Sequence, residues 1–137
     1  MALKSSGTIL SILPRVGLYS RVVLEAVLLM EGPVGSTEVV AHHLGLRNRF
    51  ELDRLLRRDG LPSLRRITAW VSVLSWVRKS ERDGMSLCQL ASRSHRHPSA
   101  CYRLVKEISG LRWEEVRAHG SAWVEGQLLR ECHKRRG

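Results

Sequence analysis

Apolar residues recur at three- and four-residue intervals along most of the chain, and no stretch sustains strict apolar–polar alternation. That spacing predicts amphipathic helices and no sheet, so the expected fold is all-α, with about seven helices. The pattern is helical over 16–30 and stops at "EGPVGS". Ser36 suits the N-cap of a short helix over 36–44, in which Val39, Val40 and Leu44 are apolar. Gly45 interrupts it. A helix over 47–58 follows, closed by Gly60-Leu61-Pro62-Ser63. The run "LRRITAWVSVLSWVRKSERDG" predicts a long helix over 64–80 with two apolar stripes. Ile67, Trp70, Val71, Leu74 and Val77 form one, and Ala69, Val73 and Trp76 form the other. A helix apolar on two sides lies between two layers or connects two small cores. Helical patterns over 86–93, 98–109, 112–118 and 121–133 follow.

A weak internal repeat lies within this order. Shifting the chain by 50 residues places Ser36 on Ser86, Val40 on Leu90, Ala41 on Ala91, Leu55 on Val105 and Gly60 on Gly110. The matches fall at a cap, a small residue, core positions and a terminal glycine. Each copy reads as helix, turn, helix, a layout that needs a small residue where the second helix crosses the first. The expected organisation is an arm over 1–15, a first helix-turn-helix subdomain over 16–63 and a connecting helix over 64–80. A second helix-turn-helix subdomain over 81–120 and a C-terminal helix with a basic tail over 121–137 complete it.

Charge changes the picture. The net charge is +10, and it is concentrated. Residues 47–66 carry seven arginines against Glu51, Asp53 and Asp59, and residues 93–106 carry Arg93, Arg96, Arg103 and Lys106 with no acid. A surface charged only for solubility mixes its signs, whereas two basic segments on a near-neutral scaffold form an electrostatic footprint for a polyanion. In the second copy, Cys101, Leu104, Val105 and Ile108 give an inward stripe, and Ser99, Tyr102, Arg103 and Lys106 lie opposite. In the first, Leu52, Leu55 and Leu56 point inward with Phe50, while Arg47, Glu51, Arg54 and Arg58 point outward. The two inward stripes are offset by about one residue.

These motifs together resemble the DNA-binding domain of the AraC/XylS family of bacterial transcription regulators, over about residues 20–118. "VVAHHLGLRNRFELDRLLRRDGLPS" is similar to that family's first unit in its alanine, glycine-leucine turn, basic helix and closing glycine. "SLCQLASRSHRHPSACYRLVKEISGLRWEEVR" is similar to the second, with Pro98-Ser99 before an Arg- and Lys-bearing helix and a close running from Gly110 to Arg117. Trp113 stands where the family has proline, and the second turn lacks the family's Gly-Phe. The expectation is a divergent relative without the family's sensor domain. The resemblance implies two recognition helices entering successive major grooves, about 34 Å apart along the duplex. It assigns Arg47, Arg54, Arg103 and Lys106 to the groove, and Arg57, Arg58, Arg66 and the tail to phosphates. Arg49, Arg96, His97, Ser99 and Tyr102 complete the expected DNA-binding set. Two other readings stay open: a degenerate helix-turn-helix protein that binds a protein partner through the arm or the C-terminal helix, and a non-specific nucleic-acid binder.

Other chemistry is weakly marked. Cys88-x6-His95-x-His97-x3-Cys101 fits no common structural zinc spacing. No phosphate loop, metal triad or nucleophile signature occurs. The chain is expected to be no enzyme and to use no metal or cofactor. His42 and His43 are expected one packed and one exposed, and Trp70, Trp76, Trp113 and Trp123 in the core. Three distant cysteines suggest a reducing cytoplasm, and no apolar run reaches the ~20 residues of a membrane span.

Overall fold

The computed structural model describes Ser11 and residues 13–134. Most of the expected arm and the last three residues of the tail lie outside the described residues. Among the described residues there are eight α-helices and no strand. After a short 3-10 turn they run α1 (Leu18–Met30), α2 (Thr37–His43), α3 (Arg49–Arg58), α4 (Leu64–Asp83), α5 (Leu87–Arg93), α6 (Pro98–Ser109), α7 (Trp113–His119) and α8 (Ser121–Lys134).

Side-chain caps set where the helices start. Ser36, Asn48, Ser63 and Ser86 accept the backbone N–H of Val39, Glu51, Arg66 and Gln89. Each bond satisfies one of the donors that a helix N-terminus leaves unpaired. Asn48 explains why α3 begins at Arg49 and not at 47: its side chain takes the Glu51 N–H at 3.0 Å. Arg47 stays in the turn, its own N–H donating to Glu51 Oε1 at 2.8 Å. Gln89 returns a bond to the Ser86 N–H and completes a capping box. Helix α4 continues past the expected residue 80, because no residue unsuited to a helix occurs before Gly84, which ends it with φ +69°.

Helix α4 is the central member. Every residue from Ala69 to Val77 is buried, including Ser72 and Ser75. Helices α1, α5, α6, α7 and α8 all pack on it. The buried side chains form one continuous cluster from Val23 on α1 to Cys132 on α8. Of the two readings of a doubly apolar helix, burial between layers is therefore what the structure shows. Trp70 faces α8, where its indole N–H donates to Glu131 Oε2 at 2.6 Å. Trp76 lies under the second unit's turn, with the Arg96 guanidinium 5.6 Å from its ring centre. Trp113 is buried, and Trp123 is half-buried and stacked on His119 at 4.5 Å.

Helix α8 is fastened to α4 along its length. The Ser121 N–H donates to Glu81 Oε2 at 3.0 Å, Arg78 pairs with Glu125 at 3.7 Å, and Glu131 takes both Trp70 and Arg66. At the other end of the fold, Asp59 Oδ2 accepts the Gly17 N–H at 3.1 Å and the buried Ser20 hydroxyl at 2.5 Å. Those bonds tie the start of α1 to the end of α3.

Two expectations are corrected. Phe50 is 62% exposed instead of inward. At 100° per residue it lies on the side of α3 opposite Leu52 and Leu56, beside Arg54 and Arg57. His42 and His43 are both exposed, because the buried stripe of the short helix α2 is carried by Ala41.

Candidate nucleic-acid interface

The two helix–turn–helix units are α2–α3 and α5–α6, and within each the helices pack together. Ala41 and Ala91, the small residues expected at the two crossings, are both fully buried. A larger side chain there would push the second helix away.

The two turns share one backbone design. The Gly45 N–H donates to His42 O and the Leu46 N–H to Ala41 O; the His95 N–H donates to Ser92 O and the Arg96 N–H to Ala91 O. The left-handed residue is Gly45 in the first turn, at φ +77°, and His95 in the second, at φ +57°. Histidine thus occupies a conformation that costs an L residue roughly 1–2 kcal/mol.

After the turn the correspondence slips by one residue. The fully buried positions are Leu52 and Leu56 in α3, and Cys101 and Val105 in α6, a shift of 49. The helix caps, Asn48 and His97, keep that shift. The missing residue therefore lies in the second connection, between Arg96 and the cap. Leu56 is the structural counterpart of Val105, so the ungapped match of Leu55 to Val105 is corrected. On the outer faces Arg54 matches Arg103, and Arg57 matches Lys106.

Arg47, Arg49, Arg54, Arg57 and Arg58 are all exposed, as are His97, Ser99, Tyr102, Arg103 and Lys106. Among the described residues Arg54, Arg57, Arg58 and Arg103 form no ion pair, so their charge is presented to solvent. Arg49 lies over the Phe50 ring at 4.9 Å. Lys106 Nζ donates to Gly110 O at 3.2 Å, across the end of its own helix. Ser99 Oγ and His97 Nδ1 are 2.8 Å apart.

Two members of the expected set stand apart. Arg66 is half-buried in a two-bond contact with Glu131, at 2.8 and 2.7 Å, which raises its pKa further. Its guanidinium holds α4 to α8 and is committed away from the outer faces of α3 and α6. Arg96 is half-buried between the turn and Trp76, beside the Cys101 thiol.

The cysteines are dispersed: Cys88 is exposed, while Cys101 and Cys132 are buried. Burial pushes the Cys101 thiol up, and it pushes Cys132 up to about 12. Among the described residues no three His, Cys, Asp or Glu side chains converge on a metal-sized site. No described helix is long and apolar enough to cross a membrane.

Sequence reasoning missed the cleft between the two units. It has a volume of about 530 Å³, and Arg49, Arg65 and Arg96 are among its lining residues. Arg65 was the arginine of the 47–66 segment given no role, since one helix's periodicity cannot show which cation faces a neighbouring unit. No family model, curated protein or solved structure matches the chain.

Proposed function

We propose that the protein binds double-stranded DNA in a sequence-dependent way, through α3 and α6, and regulates transcription in the manner of the AraC/XylS regulators it resembles. One observation carries this reading. Each second helix buries a narrow apolar stripe and turns a row of exposed residues outward at equivalent positions: Phe50, Arg54 and Arg57 on α3, and Ser99, Arg103 and Lys106 on α6. An arginine free of carboxylates can contact a guanine edge with two bonds or neutralise a phosphate.

The test is selection from a random duplex library, followed by anisotropy over a salt series. A preferred site with two half-sites about ten base pairs apart is expected. With ~5–8 phosphates neutralised, log K against log salt should have a slope of roughly −4 to −7. Arg103→Ala should relax the preference at one or two positions, while Arg57→Ala weakens all sequences alike. No enrichment, or identical effects of both variants, would refute sequence reading.

A second reading has its own observation. Leu18, Val22 and Leu29 lie along one side of α1 and are 71%, 42% and 68% exposed, with Tyr19 and Met30 beside them. Exposed Glu25 lies among them, and an apolar patch carrying a single charge suits a protein partner. This second reading favours α1 over the C-terminal helix as the docking element, since the apolar side of α8 packs against α4.

A further inference from the structure

The cleft between the two units joins three parts of the chain that the DNA reading treats separately. Thr37 and Glu38 come from the first unit's opening helix, Arg49 from the start of α3, Arg65 and Thr68 from α4, and Arg96 from the second unit's turn. A volume of about 530 Å³ lies within the ~300–1,000 Å³ typical of small-molecule sites. A narrower groove of about 280 Å³ continues it past Arg65 along α4. Three arginines and one carboxylate, Glu38, are among the lining residues, so the lining carries a net charge of +2. Among the described residues none of the three arginines is ion-paired. Two of them are steadied by aromatic rings: Arg49 by Phe50 and Arg96 by Trp76. A guanidinium held over a ring keeps its N–H edge available, which is the arrangement that suits an oxyanion.

We infer that this cleft is a phosphate-binding site, in which Arg49, Arg65 and Arg96 hold the group and the Thr37 and Thr68 hydroxyls donate to it. Two sources fit that chemistry: a small phosphorylated molecule, and a single phosphate of a DNA backbone strand passing between the units. The site stands without the DNA reading for the first source and rests on it for the second.

The probe for the first source is sodium pyrophosphate, titrated calorimetrically into the full chain at fixed ionic strength. Saturable binding is expected. Arg49→Gln, Arg65→Gln and Arg96→Gln should each weaken it about tenfold, the loss of one charge-assisted contact. Arg21→Gln removes the same charge from α1 and should change it less than about twofold. Glu38→Gln should tighten binding, an outcome that loss of folding cannot imitate.

The second source is tested on the duplex recovered by library selection, with single neutral methylphosphonate linkages placed along the backbone. One linkage should weaken the wild type about tenfold and leave Arg96→Gln no weaker than before. A positive result in either arm sustains the site and names its source. If pyrophosphate does not saturate, or Arg21→Gln weakens it as much as Arg96→Gln, and no linkage couples to Arg96, the inference is overturned. Failure of the DNA reading is a different result: no duplex binds, and the pyrophosphate titration alone decides.

Discussion

Replacing Glu131 tests how α8 is held to the rest of the molecule. Its carboxylate takes two bonds from Arg66 and one from the Trp70 indole. The Arg66 side chain is 41% exposed, so water screens that pair and its net contribution is about 0–1 kcal/mol. Trp70 is only 3% exposed, so in Glu131→Ala its N–H loses an acceptor that water does not replace. A buried donor left unsatisfied costs about 1–3 kcal/mol. The sum is about 1–4 kcal/mol, with the indole bond as the larger part. For a chain of this length that lowers Tm by about 3–14 °C. Trp70→Phe removes the donor along with part of the ring, so the double variant should be less destabilised than the sum of the two singles, by about 1 kcal/mol. Thermal melts and urea titrations of the four proteins form the cycle. A Tm drop under about 3 °C in Glu131→Ala, or additivity within about 0.3 kcal/mol, would refute the claim that the indole bond dominates.

Further outcomes follow from single contacts. Gly45→Ala should destabilise by about 1 kcal/mol through backbone strain alone, since a Cβ there meets nothing within 4 Å; His95→Gly at the equivalent position should be neutral or stabilise, by up to about 1 kcal/mol, and denaturant midpoints decide. Asp59→Ala leaves the buried Ser20 hydroxyl and the Gly17 N–H without their shared acceptor, and should cost about 1–3 kcal/mol, with hydrogen exchange increasing first in α1. Iodoacetamide at pH 8 should add one adduct per native chain, at exposed Cys88, because burial and raised pKa keep Cys101 and Cys132 as inert thiols; three rapid adducts in the native state, read by mass spectrometry, would contradict that.

Much of this fold was legible because its local signals agree. Ser36, Ser63 and Ser86 stand at helix starts, Gly84 and Gly110 stand at helix ends, and the apolar spacing between them is regular. The alanines at the two crossings could be named from the repeat alone. What escaped were features set by contacts between elements. Phe50 looks like core by composition, yet α3 turns it outward because Leu52 and Leu56 already fill the inner stripe. Arg66 looks like one more cation in a basic run, and only the fold brings Glu131 to it across 65 residues. The one-residue slip in the repeat was visible as an offset stripe, but its location required the hydrogen bonds of both turns. The cleft was beyond reach, since its lining comes from separate segments that no periodicity connects.

The attachment of α8 to α4 turns the length of α4 into a measured quantity. The two helices run antiparallel and touch at Glu81–Ser121, Arg78–Glu125 and Trp70–Glu131. Each contact fixes a position on one helix against a position on the other, as graduations on two rulers fix an offset. Inserting one residue into α4 between Trp70 and Arg78 would advance one part of the ruler by about 1.5 Å and rotate it by about 100°. The contacts on the two sides of the insertion could not then both be kept. The same insertion would swing α5 and α6 about the axis relative to α2 and α3. A substitution in α4 perturbs the packing around one side chain, whereas a change of length breaks the register of every contact beyond it.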